Sequence, residues 1–159
     1  MTEALTGSRD DLQVTAAQLT TELKPLLANP SPNSTRLFAE AFKRVQRLPE
    51  SVSSVELVEC LLTIAHYFYL ANQPVAALEP ATEAALHARQ LSDKRSLRKA
   101  VTFVGVMRME TGDLPGATEA YSEALQIARE LGDAQLVAPV RTNLGGSLIG
   151  AAQYSDALK

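Results

Sequence analysis

The chain has 159 residues, 46% of them hydrophobic and 21% charged, values of a folded domain with a real core rather than of a disordered chain. Fifteen basic and eighteen acidic residues leave a formal charge of -3, there is no tryptophan, and no basic stripe interleaves with aromatics. Nucleic-acid binding is therefore not expected. Cys60 is the single cysteine, which excludes an internal disulfide and a cysteine-based zinc site.

The N-terminus, MTEALTGSRDD, is polar and acidic, without the basic start and apolar core of a secretory signal. The stretch LVECLLTIAHYFYLA is interrupted by Glu59 and His66 and is too short to span a bilayer. Membrane insertion is not expected, and a reduced, cytoplasmic setting fits these features.

DDLQVTAAQLTTELKPLL is the first predicted helix, with Leu12, Ala16, Leu19, Leu23 and Leu26 on one face. ANPSPNST, residues 28–35, reads as a loop; RLFAEAFKRVQRL reads as a second helix that Pro49 ends. Residues 1–53 are predicted to form an N-terminal helical cap over the rest of the chain, with an arm that binds in trans as the alternative. Ser53-Ser54-Val55-Glu56 then resembles a capping box at the start of a new helix.

From there the chain repeats itself. Residues 71–94 and 111–134 share eight identities, among them Ala77/Ala117, Glu83/Glu123, Ala84/Ala124 and Arg89/Arg129. Chance would give roughly two, so an internal repeat with a period of forty is the better account. Ala65, Gly105 and Gly145 share one register, and Ala157 follows Ala117. In the middle unit, DKRSLRKAVTFVGVMRME places Leu97, Val101, Val104 and Met107 on one helix face. Gly112 suits the left-handed residue that ends that helix, and Asp113 caps the next, LPGATEAYSEALQIAREL. Gly132 ends it and Asp133 stands ready to cap a further one.

The predicted class is all-α: antiparallel helix pairs in units of about 54–93, 94–133 and 134–159, the last incomplete. One pair cannot bury its whole apolar face, and stacking on the next completes the core, an α-solenoid. By the offset, Lys159 falls in the first turns of a second helix, which suggests an N-terminal piece of a longer protein.

The order Gly105, Gly112-Asp113, Ala117, Tyr121, Ala124-Leu125 resembles the tetratricopeptide repeat. The preceding unit matches with Ala65, Phe68, Asn72, Ala77 and Ala84, and the last with Leu144-Gly145, Tyr154 and Ala157. The closing proline of that family is missing and the period is longer than usual, similar to an extended variant of bacterial regulators and signalling scaffolds. The resemblance covers residues 54–159 and implies a right-handed superhelix whose first helices line a concave groove. By that register Glu59, Leu62, Thr63, His66 and Tyr69 come from one unit. Lys99, Thr102, Phe103, Val106 and Met109 come from the next, and Thr142, Asn143 and Gly146 from the last. Aromatic and sulfur side chains at these places suit a bound peptide or helix. A clamp for a chaperone tail is not expected, because Leu62, His66, Phe103 and Pro139 occupy much of the matching surface and Asn143 stands alone.

No catalytic arrangement emerges. LGGSLIG at 144–150 lacks the strand and spacing of a phosphate loop, and His66 and His87 are too far apart to be helical neighbours in a metal site. Glu79, Glu83, Glu119 and Glu123 read as a solvated outer face, Arg89 and Arg129 as surface charges near helix C-termini, and Cys60 as core. Neither a cofactor nor a metal is expected. The expected function is non-enzymatic: binding a protein or peptide segment in the groove. Two alternatives differ in class. One is the sensory or regulatory N-terminal region of a larger bacterial signalling protein, such as a GGDEF-type diguanylate cyclase, a histidine kinase or a transcriptional regulator, with a C-terminal effector attached. The other is a homodimerisation domain that uses an apolar edge at Tyr154–Leu158.

Overall fold

The structure, a computed structural model, describes residues 9–48, 53–132 and 134–157. Among these residues lie seven α-helices and no strand: α1 (Arg9–Ala28), α2 (Ser34–Gln46), α3 (Val55–Leu70), α4 (Pro74–Gln90), α5 (Lys94–Glu110), α6 (Leu114–Glu130) and α7 (Ala134–Ala157). The protein is all-α.

Four turns join α3 through α7, and each contains one residue with positive φ: Asn72 at 58°, Ser92 at 56°, Gly112 at 83° and Gly132 at 67°. Asn72 and Gly112 are forty residues apart, as are Ser92 and Gly132. In the first three turns the next amide returns to a carbonyl five residues back: Gln73 to Phe68 (2.8 Å), Asp93 to Ala88 (3.1 Å) and Asp113 to Arg108 (2.8 Å). These bonds occupy carbonyls that the ending helix leaves free. Two of the helices that follow, α5 and α6, are capped at once by a side chain, and α4 is not. Asp93 accepts from the amides of Arg95 and Ser96, and Asp113 from that of Gly116. At α3 the predicted box does not form: Ser54 is the cap, accepting from Leu57 N at 3.2 Å, and a leucine stands where the box needs a Glu or Gln. Ser53 turns its hydroxyl to His87 Nδ1 (2.8 Å) and to Gln90 on α4 instead. The predicted roles of Asp133 and Pro49 lie outside the described residues.

From α3 to α7 each helix packs on the next in the chain, α3 also touches α5, and α5 touches α7. Alanine makes the close approaches possible: Ala77, Ala81, Ala84 and Ala88 on α4, with Ala117, Ala124 and Ala128 on α6, are fully buried. Tyr121 fills the space over Gly105. Of the face predicted for α5, Val101, Val104 and Met107 are buried and Leu97 is half-buried. Cys60 is fully buried, as expected; burial pushes its thiol up to about 11, with Thr20 of α1 beside it drawing it partly back.

Helices α1 and α2 both pack on α3. Ala16, Leu19 and Leu23 are buried as the predicted face requires, and Leu26 is half-buried. On α2 the Phe38 ring stacks on Tyr67 of α3 with centroids 3.9 Å apart, and Thr35 shares a 2.7 Å hydrogen bond with the Tyr67 hydroxyl. Carried back by forty residues, α4 begins at Ser34, where α2 begins. Of the three sites at which α4 and α6 both carry buried alanines, 77/117 and 84/124 fall at Leu37 and Arg44 on α2, both exposed, and 88/128 falls at Leu48, beyond its end. Helices α1 and α2 touch each other only lightly. A cleft of about 280 Å³ opens between them, floored by Leu19, Leu23, Leu26 and Leu37.

The third unit departs from expectation. The offset predicts a turn at 151–153 and a second helix after it, but α7 runs unbroken to Ala157. Ala152 stands where Gly112 and Asn72 turn the chain, and alanine avoids the left-handed conformation that would end the helix. Residues 158 and 159 lie outside the described residues, as do the side chains of 153–157, and with them the apolar surface of the predicted edge at Tyr154–Leu158.

Candidate functional site

Helices α3 and α5 lie side by side, and the residues expected to face a groove fall on one stripe of each. Three of them meet. The ring of Phe103 on α5 stands edge-on to His66 (centroids 6.2 Å apart, 83°) and to Tyr69 (5.9 Å, 79°), both on α3. Three and four residues separate neighbours on a helix face, so His66 and Tyr69 rise together. Phe103 is half-buried, His66 is exposed and Tyr69 is 38% exposed, so the trio joins two helices and still faces solvent.

The remaining α3 residues divide. Leu62 is half-buried against the core. Glu59 is exposed and paired with Lys24 of α1 at 2.7 Å. Thr63 is buried and its hydroxyl donates to Glu59 O at 2.8 Å, so it does not present itself to an open surface. On α5, Lys99 is exposed, Val106 and Met109 are half-buried, and the Thr102 hydroxyl donates to its own helix at Arg98 O. On α7, Thr142 and Gly146 are exposed and Asn143 is half-buried. Thr142 donates to Ala138 O at 3.2 Å.

The forty-residue register contains a further residue that was not anticipated for the groove. Tyr69 and Met109 are followed at the same offset by Ile149, which is 62% exposed. Near Tyr69 lies Tyr121 of α6. Its hydroxyl is buried without a hydrogen-bond partner among the described residues. Burial, then the nearby charge of Glu110 and the Tyr69 phenol, push it up to about 12. Sequence alone signals Ile149 through the repeat, whereas the orphan hydroxyl requires three-dimensional packing.

The repeated charges do more than face water. Arg89 Nη2 donates to both carboxylate oxygens of Glu123, at 2.6 and 2.9 Å, tying α4 to α6. Gln46 of α2 reaches Glu79 (3.0 Å) and Glu83 (3.3 Å) on α4 in the same sense. Glu79 and Glu119 are exposed as expected; Glu83 and Glu123 are half-buried. Burial raises the Glu83 carboxyl, opposed by the Gln46 hydrogen bond. Among the described residues no group of three or more histidine, cysteine or acidic side chains could hold a metal ion, and no helix is long and apolar enough to cross a membrane. No family model and no curated protein matches this chain.

Proposed function

We propose that this chain is a binding module of the tetratricopeptide-like kind, its helix pairs stacked as a solenoid, and that it acts by recognition rather than catalysis. The first helices α3, α5 and α7 line the recognition surface, and the ligand is a segment of another protein. The observation that carries this reading is the meeting of His66, Tyr69 and Phe103 across α3 and α5 while the rings remain open to solvent. Aromatic side chains bury large apolar area at little entropic cost, which makes them natural anchors. Lys99 and Thr142 flank the trio along the stripe and supply polar groups that set the register of a bound segment.

The test uses a photo-crosslinking residue in place of Met109 and, as a control on a distant exposed site, in place of Val75. The reading expects a protein captured through position 109 and not through position 75. Its affinity for the purified chain then falls about tenfold or more when Tyr69→Ala and Phe103→Ala are combined, with the helical signal intact. Affinity that survives both changes rules the groove out.

A further inference from the structure

The rings of Phe103 and Tyr69 stand nearly perpendicular, at 79°, with centroids 5.9 Å apart, and neither is sealed from solvent. An aromatic ring is negative over its faces and positive at its edge. A point over both faces of two perpendicular rings so spaced lies about 4 Å from each centre, inside the roughly 6 Å over which a ring attracts a cation. His66 adds a third ring, at 83° to Phe103 and with centroids 6.2 Å apart, one turn before Tyr69 on α3.

The charges on α5 differ at the two ends of this trio. Lys99 stands one turn before Phe103 and Glu110 two turns after it, and both are exposed. Glu110 forms no ion pair among the described residues. Glu110 and Tyr69 both act through space on the Tyr121 hydroxyl, which puts the carboxylate on the Tyr69 side of Phe103. A positive charge is therefore favoured between Phe103 and Tyr69, away from Lys99.

On the reading of α3 and α5 as a recognition surface, on which this inference rests, we propose that the corner of Phe103 and Tyr69, with His66 as a third ring, recognises a trimethylated lysine side chain of the bound segment. The corner is half open to water, and that decides which cation it takes. A plain lysine ammonium is compact and strongly hydrated, and its three donors would need acceptors that the rings do not provide. Methylation spreads the same charge over a bulkier head that carries no donor. Such a head leaves water readily, fills the corner and meets the π faces directly.

The probe is an acetylated and amidated peptide of four glycines around a central trimethyllysine, titrated into the 159-residue protein and followed by the aromatic NMR signals. Saturable binding is expected. The same peptide with a neutral tert-butyl group in place of the trimethylammonium keeps the shape and loses the charge. It is expected to bind about fivefold or more weakly, and so is the unmethylated lysine peptide. Phe103→Leu keeps an apolar side chain in the half-buried place and is expected to abolish the preference for charge, whereas Phe103→Tyr retains it; circular dichroism checks both folds. Absence of binding by the trimethyllysine peptide, equal affinity for its neutral counterpart, or a charge preference that survives Phe103→Leu overturns the proposal. Choline binding more tightly than the peptide overturns it as well, since the cation is then a free small molecule. A protein captured through position 109 and lost with Tyr69→Ala and Phe103→Ala, together with indifference to the methylated peptide, removes this inference and leaves the recognition surface standing.

Discussion

Tyr121 of α6 lies so close over Gly105 of α5 that a single added carbon at Gly105 would come within 2.7 Å of its ring. The ring has no room to retreat, since Tyr121 is fully buried. The same register position on α7, Gly145, has open space instead.

Alanine at these two glycines should therefore act in opposite directions. Gly105→Ala forces the ring or the helix to shift and is expected to destabilise by on the order of 1–3 kcal/mol. Gly145→Ala gains helix propensity without a clash and is expected to stabilise by about 0.5–1 kcal/mol. Urea midpoints at unchanged slope measure both, and shifts of equal sign would contradict the packing described for α5 and α7.

The four turns make a second prediction. Ser92 holds φ at 56° where its forty-residue partner is Gly132. A side chain in that region is strained, so Ser92→Gly should raise stability by about 1 kcal/mol. Gly112→Ala, at φ 83°, should lower it by a similar amount. Thermal unfolding of the two variants, with Gly132→Ala as a further check, reads the difference.

Asp93 caps α5 through two backbone amides; the Ser96 side chain first, and then these amides, hold its carboxyl below the usual aspartate range. A folded value below the unfolded value of 3.8 means that this stabilisation is complete above that pH and fades as pH falls through the folded value. Asp93→Ala is therefore expected to cost about 1 kcal/mol at neutral pH and progressively less in acid. A constant difference from pH 7 to the acid limit of folding would show that the cap contributes through something other than its charge.

Glu83 has the opposite sign. Burial raises its folded value above 4.5, so the native state binds the extra proton and stability declines as pH climbs through the interval between the two values. Glu83→Gln removes that decline. Stability curves of parent and variant should converge in acid and separate towards neutrality, with the variant the more stable. Curves that run parallel would mean that Glu83 ionises as freely in the folded protein as in the unfolded one.

Much of the helical outline was legible because its causes are local. The Gly112-Asp113 turn and the caps at Asp93 and Asp113 are set by residues within a few positions of one another. The stretches read as helices at 10–27, 93–110 and 114–131 differ from α1, α5 and α6 by one residue or so at their ends. The one misjudged cap, Ser53, failed for a distant reason: its hydroxyl is taken by His87 and Gln90, more than thirty residues away. The end of the third unit failed for a local one, since Ala152 replaces the glycine on which the expected turn depended.

The candidate surface was legible as a set of residues and not as an arrangement. Periodicity put Thr63 beside His66 and Tyr69, yet only packing decides that Thr63 is buried while the two rings meet Phe103. Arg89 looked like a solitary helix-end charge until folding brought Glu123 from another helix to it.

The order of residues was enough to make this protein helical, to set where most of its helices start and stop, and to repeat them every forty residues. Backbone bonds in a helix reach four residues along the chain, so neighbouring residues suffice to set them. Which of the repeated faces are covered was settled in three dimensions. Gly105 and Gly145 share a register, and one is filled by Tyr121 while the other is open, because burial depends on whether another helix arrives.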